Sequence, residues 1–455
     1  WSGPHWFLIP FAILFSLTVT TSGWLINGAM VLKGVNAVDG IWNLALIEEL
    51  KNTFPPQHPA IADVPLRGYH LLYNLFLADF SRLTDISTIG LHFHFIPIVM
   101  SLLLVYGLYA LSVRLTGSKR HAIWATFFSL AGGSFAFVLP VFFGRAVSLD
   151  DALGITQPFS LLVSPSFVLS LLSIIYTWIF LDEYEKHAFW IWGTLIGALA
   201  GLAVGMKVYA GIIVLPTVAL FALMRKNLFM LIMSVFVAGV VFLPLNASYG
   251  FLRYQPLWPP HRVMQGVLDF TQWELKRQTL EAMGATRGLI KLEMIALAIF
   301  VFGNLGTRLI GFIGLFTIRK KDISMLLSLL IVGSLVSFIL PMYFLQPIGA
   351  FNMIQFFWYY LVFMGLLAGW GFSVIIGRFR SPWRELIVAI ILIATLPSAL
   401  EKINVFIHKP TPLVTQEEMM FYQKLRMAGK PGDVVLVVPA IDRYTEADIQ
   451  GWFYG

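Results

Sequence analysis

The sequence predicts an all-α polytopic membrane protein with about eleven transmembrane helices. Hydrophobic residues make up 58% of the 455 residues, and charged residues make up only 12%. Soluble domains usually carry about 25% charged residues. Apolar runs recur along the chain, each close to the roughly 20 residues that an α-helix needs to cross a bilayer. Together these two observations exclude a soluble globular fold.

The predicted spans form one transmembrane domain over residues 1–400. Residues 188–224 are one apolar run that is too long for a single crossing, so we predict a helical hairpin that turns at Lys207. The predicted spans are 6–28, 90–113, 121–141, 161–181, 188–206, 208–224, 228–246, 290–317, 323–343, 353–376 and 384–400.

Lys and Arg residues collect in loops that this topology places on one side of the membrane, together with the mixed-charge loop 182–187. Positive loops face the cytoplasm, which predicts a cytoplasmic N-terminus and an external tail over residues 401–455. We therefore interpret the net charge of +7 as a topology signal and expect no nucleic-acid partner. The clusters are Arg114, Lys119 and Arg120; Arg225 and Lys226; Arg319, Lys320 and Lys321; and Arg378, Arg380 and Arg384.

The longest external loop follows the first span, over residues 29–89. Two amphipathic stretches, 40–52 and 69–83, predict two juxtamembrane helices joined by a Pro-rich link. In the tail, an amphipathic helix at 417–427, a turn at 429–433 and a β-branched run at 434–438 predict the start of a small α/β domain.

Several kinds of chemistry are excluded by residue content. The chain has no cysteine, so disulfides, iron–sulfur clusters and Cys-type zinc sites are absent. It contains no HExxH, P-loop, GxSxG or dinucleotide-binding motif. His92 and His94 are two residues apart on a predicted helix and therefore point in different directions, so we do not expect them to chelate a metal together.

Asp39 is the first candidate functional residue, because it lies where the first span meets the first external loop. A carboxylate beside an apolar wall has a perturbed pKa and can act as a base or bind a cation. The alternative is that Asp39 is the N-cap of the helix that starts near Ile41. The two interpretations are compatible.

Lys207 is the second candidate, because a lysine inside an apolar run costs a few kcal/mol on insertion scales. Such a residue is a functional candidate, most simply as the counter-charge of a phosphate. The alternative is a turn residue at the outer interface whose amine reaches water.

The stretch 36–74 resembles the first loop of the GT-C superfamily. It combines an Asp soon after the first span, an amphipathic helix, the Pro55–Pro56 loop and a Tyr/His/Arg group. The members are membrane glycosyltransferases that use polyprenyl-phosphate sugars, and the resemblance favours the protein O-mannosyltransferase and aminoarabinose-transferase branch. It implies a module of about seven spans over roughly residues 1–250, with two juxtamembrane helices in the first loop.

The resemblance also implies roles for residues of this loop. Asp39 matches the acid taken as the general base or as the group that orients the acceptor. Many members have an acidic pair at this point, whereas Gly40 follows here, which puts a metal-chelating version in doubt. Arg67 and His70 occupy the stretch in which some members place a phosphate-binding Lys, and Tyr69 lies between them as a candidate sugar-binding residue.

Other external segments supply further candidates, each with a structural alternative. Asp150 and Asp151 match a second acidic site that binds an acceptor or a divalent cation, or they are solvated loop acids. Arg253 and Arg262 suit a lipid-linked phosphate, or they belong to an aromatic belt that contacts lipid headgroups. Asn352 and Gln355 are placed to bind sugar hydroxyls, or they pack between helices.

The sequence therefore favours a membrane glycosyltransferase of the GT-C type, multi-pass in the cell membrane. Its expected partners are the bilayer, a polyprenyl-phosphate sugar donor and a glycan, lipid or protein acceptor. No cofactor is certain; a divalent cation, Mg²⁺ or Mn²⁺, would have Asp39, Asp150 or Asp151 as ligands. Two alternatives remain: a transporter or flippase of a lipid-linked substrate, and a non-catalytic subunit of a larger membrane complex.

Overall fold

The computed structural model describes residues 8–61, 63–144, 147–187, 189–243, 252–317, 324–346, 350–408 and 411–429. Within these ranges the chain is mostly helical. Five helices are long and apolar enough to cross a membrane, and the number rises to seven if each of two bent helix pairs is one span. A polytopic helical fold is confirmed, and the number of eleven crossings stays a prediction.

The helices of the described ranges follow the predicted spans closely in the middle of the chain. They are α1 Leu8–Thr20, α2 Asp39–Leu50, α3 Leu72–Thr84, α4 Ile96–Thr116, α5 Lys119–Ala131, α6 Val138–Phe143, α7 Pro165–His187, α8 Trp190–Met206, α9 Val208–Met224, α10 Phe229–Phe242, α11 Trp258–Gln265, α12 Trp273–Ala282, α13 Thr286–Leu305, α14 Ile310–Thr317, α15 Met325–Tyr343, α16 Ala350–Arg378, α17 Trp383–Thr395, α18 Pro397–His408 and α19 Gln416–Ala428.

The strands form two small sheets. The first has the order β1 (Trp24–Ile26), β2 (Ala29–Leu32) and β5 (Thr411–Val414), and both pairings are antiparallel. The second pairs β3 (Arg253–Tyr254) with β4 (Phe344–Leu345), also antiparallel. The tail is thereby attached to the hairpin that follows α1.

The predicted first span over 6–28 is wrong in its second half, because α1 ends at Thr20 and a β-hairpin follows. Asn27 and Gly28 join its strands with φ values of 51° and 78°. Two consecutive residues with positive φ are typical of a type I′ turn, which matches the twist of paired strands. The hydrophobic pattern of the sequence does not reveal this turn, because the strands on both sides of it are apolar.

Two further predicted spans are broken helices. The span predicted at 121–141 consists of α5 followed by Phe135–Phe143, with a bend of 58° at Gly132–Ser134. The span predicted at 384–400 consists of α17 and α18, bent by 51° where Pro397 begins α18. Glycine and proline weaken helix continuity, which accounts for the positions of both breaks.

The predicted hairpin at Lys207 is confirmed. Helix α8 ends at Met206, α9 begins at Val208, and Lys207 has an extended backbone between them. The reversal is tight, because a Cβ at Gly211 would lie 2.4 Å from Cγ2 of Val204. Glycine is the residue that permits this approach.

Ion pairs define one end of the bundle. Arg114 at the end of α4 lies 3.3 Å from Asp182 and also binds Glu183, and Arg225 after α9 binds Glu185. These acids belong to the last turns of α7, so the predicted loop 182–187 is helical instead. The prediction that Arg114, Arg225 and this segment share one side is confirmed.

Lys207 lies at the opposite end, because α8 carries the chain across from the end of α7. Helix α3 is at Lys207's end as well, since a Cβ at Gly205 would lie 3.3 Å from Leu72 of α3. The two predicted juxtamembrane helices are thus α2 and α3, and the predicted tail helix is α19. Which end faces the cytoplasm stays a prediction. Some predicted features lie outside the described residues: Arg319, Lys320, Lys321 and the strand at 434–438.

Arg308 lies inside the predicted span 290–317 and is fully buried, although sequence analysis did not single it out. Its guanidinium donates to the carbonyl oxygen of Phe128 at 3.0 Å, to Oε1 of Gln157 at 3.0 Å and to the carbonyl oxygen of Gly132. The carbonyl groups at the end of α5 have no further helical turn to bind them. Arg308 therefore holds the break after α5 in place.

Replacing this guanidinium should destabilise the fold. We expect Arg308→Met to lower the melting temperature of the detergent-purified protein, because each buried acceptor left unpaired costs about 1–3 kcal/mol. Arg262→Met is the matched control, since Arg262 is exposed on α11. Equal melting temperatures for the two variants, measured by intrinsic fluorescence, would contradict this role.

Candidate active site at the α2 and α8–α9 junction

Asp39 is the first residue of α2, and Val38 precedes it as the N-cap residue. The interpretation of Asp39 as an N-cap is therefore wrong, because no side chain caps this helix. Its carboxylate makes no hydrogen bond or ion pair with any other described residue, and the residue remains accessible to solvent. Surrounding protein desolvates the carboxylate and raises its pKa, and the positive charge of Lys207 partly opposes this rise.

Lys207 is the buried counterpart of Asp39. Its residue is only 5% exposed, and it is the turn residue between α8 and α9. Burial lowers the pKa of Lys207 to about 7, and the negative charge of Asp39 opposes this fall. Within the described ranges, its ammonium makes no hydrogen bond and no salt bridge. A buried cation that lacks a direct partner is costly unless an anion neutralises it.

Asp39 and Lys207 interact electrostatically across a gap. Each changes the pKa of the other, yet no oxygen of Asp39 lies within 4.0 Å of the Lys207 amine, the limit for a salt bridge. The amine and the carboxylate therefore lie near each other without a direct contact.

Trp42, His58, Tyr69 and His70 form a connected aromatic cluster, which we call the aromatic wall. Asp39 acts electrostatically on Tyr69, and Lys207 acts on His70. Tyr69 stacks on His70 with ring centroids 4.3 Å apart, and Trp42 contacts His58 and Tyr69 edge-on at 5.3 and 6.0 Å. Burial raises the pKa of Tyr69 to about 12, with a contribution from Asp39. Burial and then Lys207 lower the pKa of His70, which favours a neutral imidazole.

Gly40 lets α2 start against a buried ring. A Cβ at Gly40 would lie 2.7 Å from Cζ of Phe93, and one at Gly23 would lie 2.5 Å from Cδ2 of the same ring. Phe93 is fully buried. A side chain directly after Asp39 would therefore require Phe93 or the start of α2 to shift.

Phe93 belongs to a π-helical turn, Gly90–Phe95, that supports the whole loop. His92 binds the hydroxyl of Tyr73 through Nδ1 at 2.8 Å, and Nε2 of His94 lies 3.0 Å from the carbonyl oxygen of Ser22. The two histidines bind different partners, as their spacing predicted. His92, Phe93 and His94 thus each contact a different part of the chain between Ser22 and Tyr73.

A pair of asparagines braces α2 against α3. Nδ2 of Asn43 donates to the carbonyl oxygen of Asp39 at 2.7 Å, and Nδ2 of Asn74 donates to Oδ1 of Asn43 at 2.9 Å. Both asparagines are buried. Sequence analysis missed them, because two asparagines 31 residues apart carry no local signal of their contact.

Asp150 and Asp151 are in different environments. Asp150 is buried, accepts a hydrogen bond from Ser160 at 3.0 Å and lies 3.3 Å from the Lys402 amine. Burial raises the pKa of Asp150 to about 6, although Lys402 opposes this rise. Asp151 is exposed. In the described part of the chain, neither acid contacts Asp39, and no group of three or more His, Asp or Glu side chains could hold a metal ion.

The remaining predicted residues are not joined to Asp39 or Lys207 by any hydrogen bond or ion pair among the described residues. Arg67 precedes Tyr69 in the chain and is exposed, as are Arg253 in β3 and Arg262 in α11. Asn352 is half-buried near the start of α16. Gln355 is buried one turn later, and its Oε1 accepts no hydrogen bond from a described residue.

No family model and no curated protein matches this sequence. Among solved structures, the chain is similar to the archaeal oligosaccharyltransferase AglB from Archaeoglobus fulgidus in complex with an inhibitory peptide and a dolichol-phosphate. The TM-score is 0.48 and the sequence identity is 14%. The match covers 88% of this chain and 55% of that one. The chain is also similar to the Archaeoglobus fulgidus oligosaccharyltransferase in complex with Zn and sulfate, with a TM-score of 0.49, 16% identity, and coverage of 88% and 53%. The chain spans about half the length of these structures.

Because Gly40 packs directly on Phe93, a methyl group added at position 40 should destabilise the protein. We expect Gly40→Ala to destabilise the protein by about 1–3 kcal/mol, the usual effect of overpacking a filled site, and to increase hydrogen exchange in α2. Gly377→Ala is the matched control, because a Cβ there meets nothing within 4 Å. Unchanged exchange in α2 of Gly40→Ala, measured by mass spectrometry, would show that Phe93 does not fix the start of this helix.

Proposed function

We propose that this chain is a GT-C-type glycosyltransferase that moves a sugar from a polyprenyl-phosphate donor to an acceptor at the external face of the cell membrane. One observation carries the proposal. A buried lysine without a direct partner and an accessible carboxylate interact electrostatically, at the end of the bundle opposite the Arg114 and Arg225 ion pairs.

Lys207 has the properties required to bind the donor phosphate. Its burial removes competing water, so its attraction for an anion is stronger than that of an exposed lysine. A phosphate would also neutralise a charge that the fold leaves unpaired among the described residues. As the sugar–phosphate bond breaks, negative charge grows on the leaving oxygen, and a preorganised ammonium stabilises that charge.

Asp39 has the properties of a general base. The raised pKa of its carboxylate makes it a stronger proton acceptor than an ordinary aspartate, and solvent access lets an acceptor reach it. The acceptor oxygen bonds to the anomeric carbon as the bond from that carbon to the phosphate oxygen breaks. The acceptor proton passes to Asp39, and the bonding electrons leave with the phosphate. Attack from the side opposite the phosphate inverts the anomeric centre.

The remaining features fit a lipid-linked donor. The aromatic wall offers apolar ring faces with polar edges, which suit a sugar ring or the first part of a prenyl chain. The site lies at one end of a membrane-spanning bundle, so the prenyl chain of the donor can stay in the bilayer. The acceptor class, a glycan, lipid or protein, is left open by this arrangement, as is the protein O-mannosyltransferase or aminoarabinose-transferase branch.

The role of Asp39 predicts a specific loss of turnover. We expect Asp39→Asn to lower kcat at least about 100-fold, in the range of general-base catalysis, with little change in the KM for the donor. The assay is transfer of labelled sugar from a polyprenyl-phosphate donor by the purified protein. Asp85→Asn serves as the control, because Asp85 is an exposed acid at the end of α3. Full activity of Asp39→Asn would overturn the assigned role.

The role of Lys207 predicts weaker donor binding as well as slower transfer. We expect Lys207→Met to raise the KM for the donor and to lower kcat, because the ammonium contacts the phosphate both before and during bond cleavage. Lys291→Met is the control, since Lys291 is exposed on α13. Donor kinetics for Lys207→Met that equal those of Lys291→Met would place the phosphate elsewhere.

A further inference from the structure

We propose that a groove between α1 and the first half of α5 binds one anionic phospholipid, with a hydrocarbon chain in the groove and the phosphate at Arg120. The groove lies at the Arg114 end of the bundle, because α5 begins three residues after α4 ends. Lys207 is at the opposite end. The lipid site is therefore separate from the proposed donor site and does not depend on the proposed function.

The groove has a volume of about 300 Å³, and its surface is almost entirely apolar. The one hydroxyl in its lining belongs to Thr126, which donates it to the carbonyl oxygen of Ala122 at 2.9 Å. A polar ligand would lose its hydration there without a hydroxyl to replace it, whereas a hydrocarbon chain would lose nothing. The lining residues are Pro10, Phe11 and Leu14 of α1 and Ile123, Trp124, Thr126 and Phe127 of α5.

The two walls of the groove differ in their surroundings. On α1, Leu14 is 43% exposed, and in a helical membrane protein an exposed apolar side chain on such a helix contacts lipid. On α5, Trp124 packs edge-on against the buried ring of Phe372 in α16, with ring centroids 4.6 Å apart. One wall thus borders the bilayer and the other is fixed by the core, so a lipid chain can enter from the side without moving Trp124.

Positive charge lies at one end of the groove. Arg120 precedes Trp124 by four residues and Phe127 by seven, so it lies on the same face of α5, one helical turn before the groove. Arg120 is exposed and forms no ion pair within the described ranges, whereas Arg114 is already paired with Asp182. A phosphate at Arg120 would therefore have its hydrocarbon chains next to the groove.

The first turn of α5 adds to this charge. It contains Lys119, Arg120 and His121 and no acid, although the N-terminal end of a helix is the positive end of its dipole. Nδ1 of His121 is buried and has no hydrogen-bond partner in the part of the chain that the structure describes. Membrane topology alone explains basic residues on this side, but it does not require an apolar groove on the same helix face. Basic pockets between membrane helices are typical sites for anionic lipid headgroups.

The headgroup test measures lipid binding to the full chain in detergent by native mass spectrometry. Dioleoyl-phosphatidylglycerol and dioleoyl-phosphatidylcholine are the probes, because they share their acyl chains and differ in headgroup charge. We expect one phosphatidylglycerol per protein, bound at least about fivefold more tightly than phosphatidylcholine. Arg120→Gln should remove most of this preference. Lys226→Gln is the matched control and should retain it, since Lys226 is an exposed basic residue after α9, no residue of which lines the groove.

Equal affinities of the wild-type protein for the two lipids would overturn the proposal. An equal preference in Arg120→Gln and Lys226→Gln would overturn it as well, because the phosphate would then lie away from Arg120.

The groove test fills the space with a side chain. Leu14→Trp places a ring in the groove, and Ile13→Trp is the matched control, because Ile13 is a neighbouring exposed residue of α1 that does not line the groove. Both positions are exposed, so both variants should keep the melting temperature of the wild type. We expect Leu14→Trp to weaken binding of both lipids at least about fivefold, because methylene groups lose their buried contacts.

Binding of phosphatidylglycerol by Leu14→Trp that equals its binding by Ile13→Trp would place the lipid elsewhere and overturn the proposal. Neither test uses sugar transfer, so failure of the lipid site and failure of the proposed function are separate results.

Discussion

The buried ammonium of Lys207, facing Asp39 across more than the width of a salt bridge, is the interaction on which the other features of this site depend. A lysine in this position is tolerated because the carboxylate offsets part of its charge and a bound anion can offset the rest. The break between α8 and α9 places the lysine at the end of the bundle, and the tight approach of Gly211 to Val204 holds that break.

The segment between α1 and α4 fixes the position of the other half of the pair, Asp39. Phe93 packs under Gly40, Asn43 holds the carbonyl oxygen of Asp39, and Asn74 holds Asn43. These contacts determine where α2 starts and therefore where the carboxylate lies. The tail contributes at a distance, since β5 extends the hairpin that follows α1 and closes this end of the molecule with a small sheet.

Much of this arrangement could be predicted from apolar runs, because burial in lipid imposes a length and a composition on each helix. The hairpin at Lys207, the two juxtamembrane helices and the shared side of Arg114 and Arg225 all follow from that constraint and from charge. The β-hairpin after α1 could not be predicted in this way, since an apolar strand and an apolar helix differ in turn geometry and not in composition. The contacts of Arg308 and of the two asparagines depend on residues distant in sequence, and a single chain gives no sign of such pairs.

The most direct test of the central claim is a structure of the wild-type protein bound to a polyprenyl monophosphate, the part of the donor that leaves. The account predicts a phosphate oxygen within hydrogen-bond distance of Nζ of Lys207, with Asp39 open to the opposite side of the anion. A phosphate held by Arg253 or Arg262, with Lys207 left without a ligand, would contradict it.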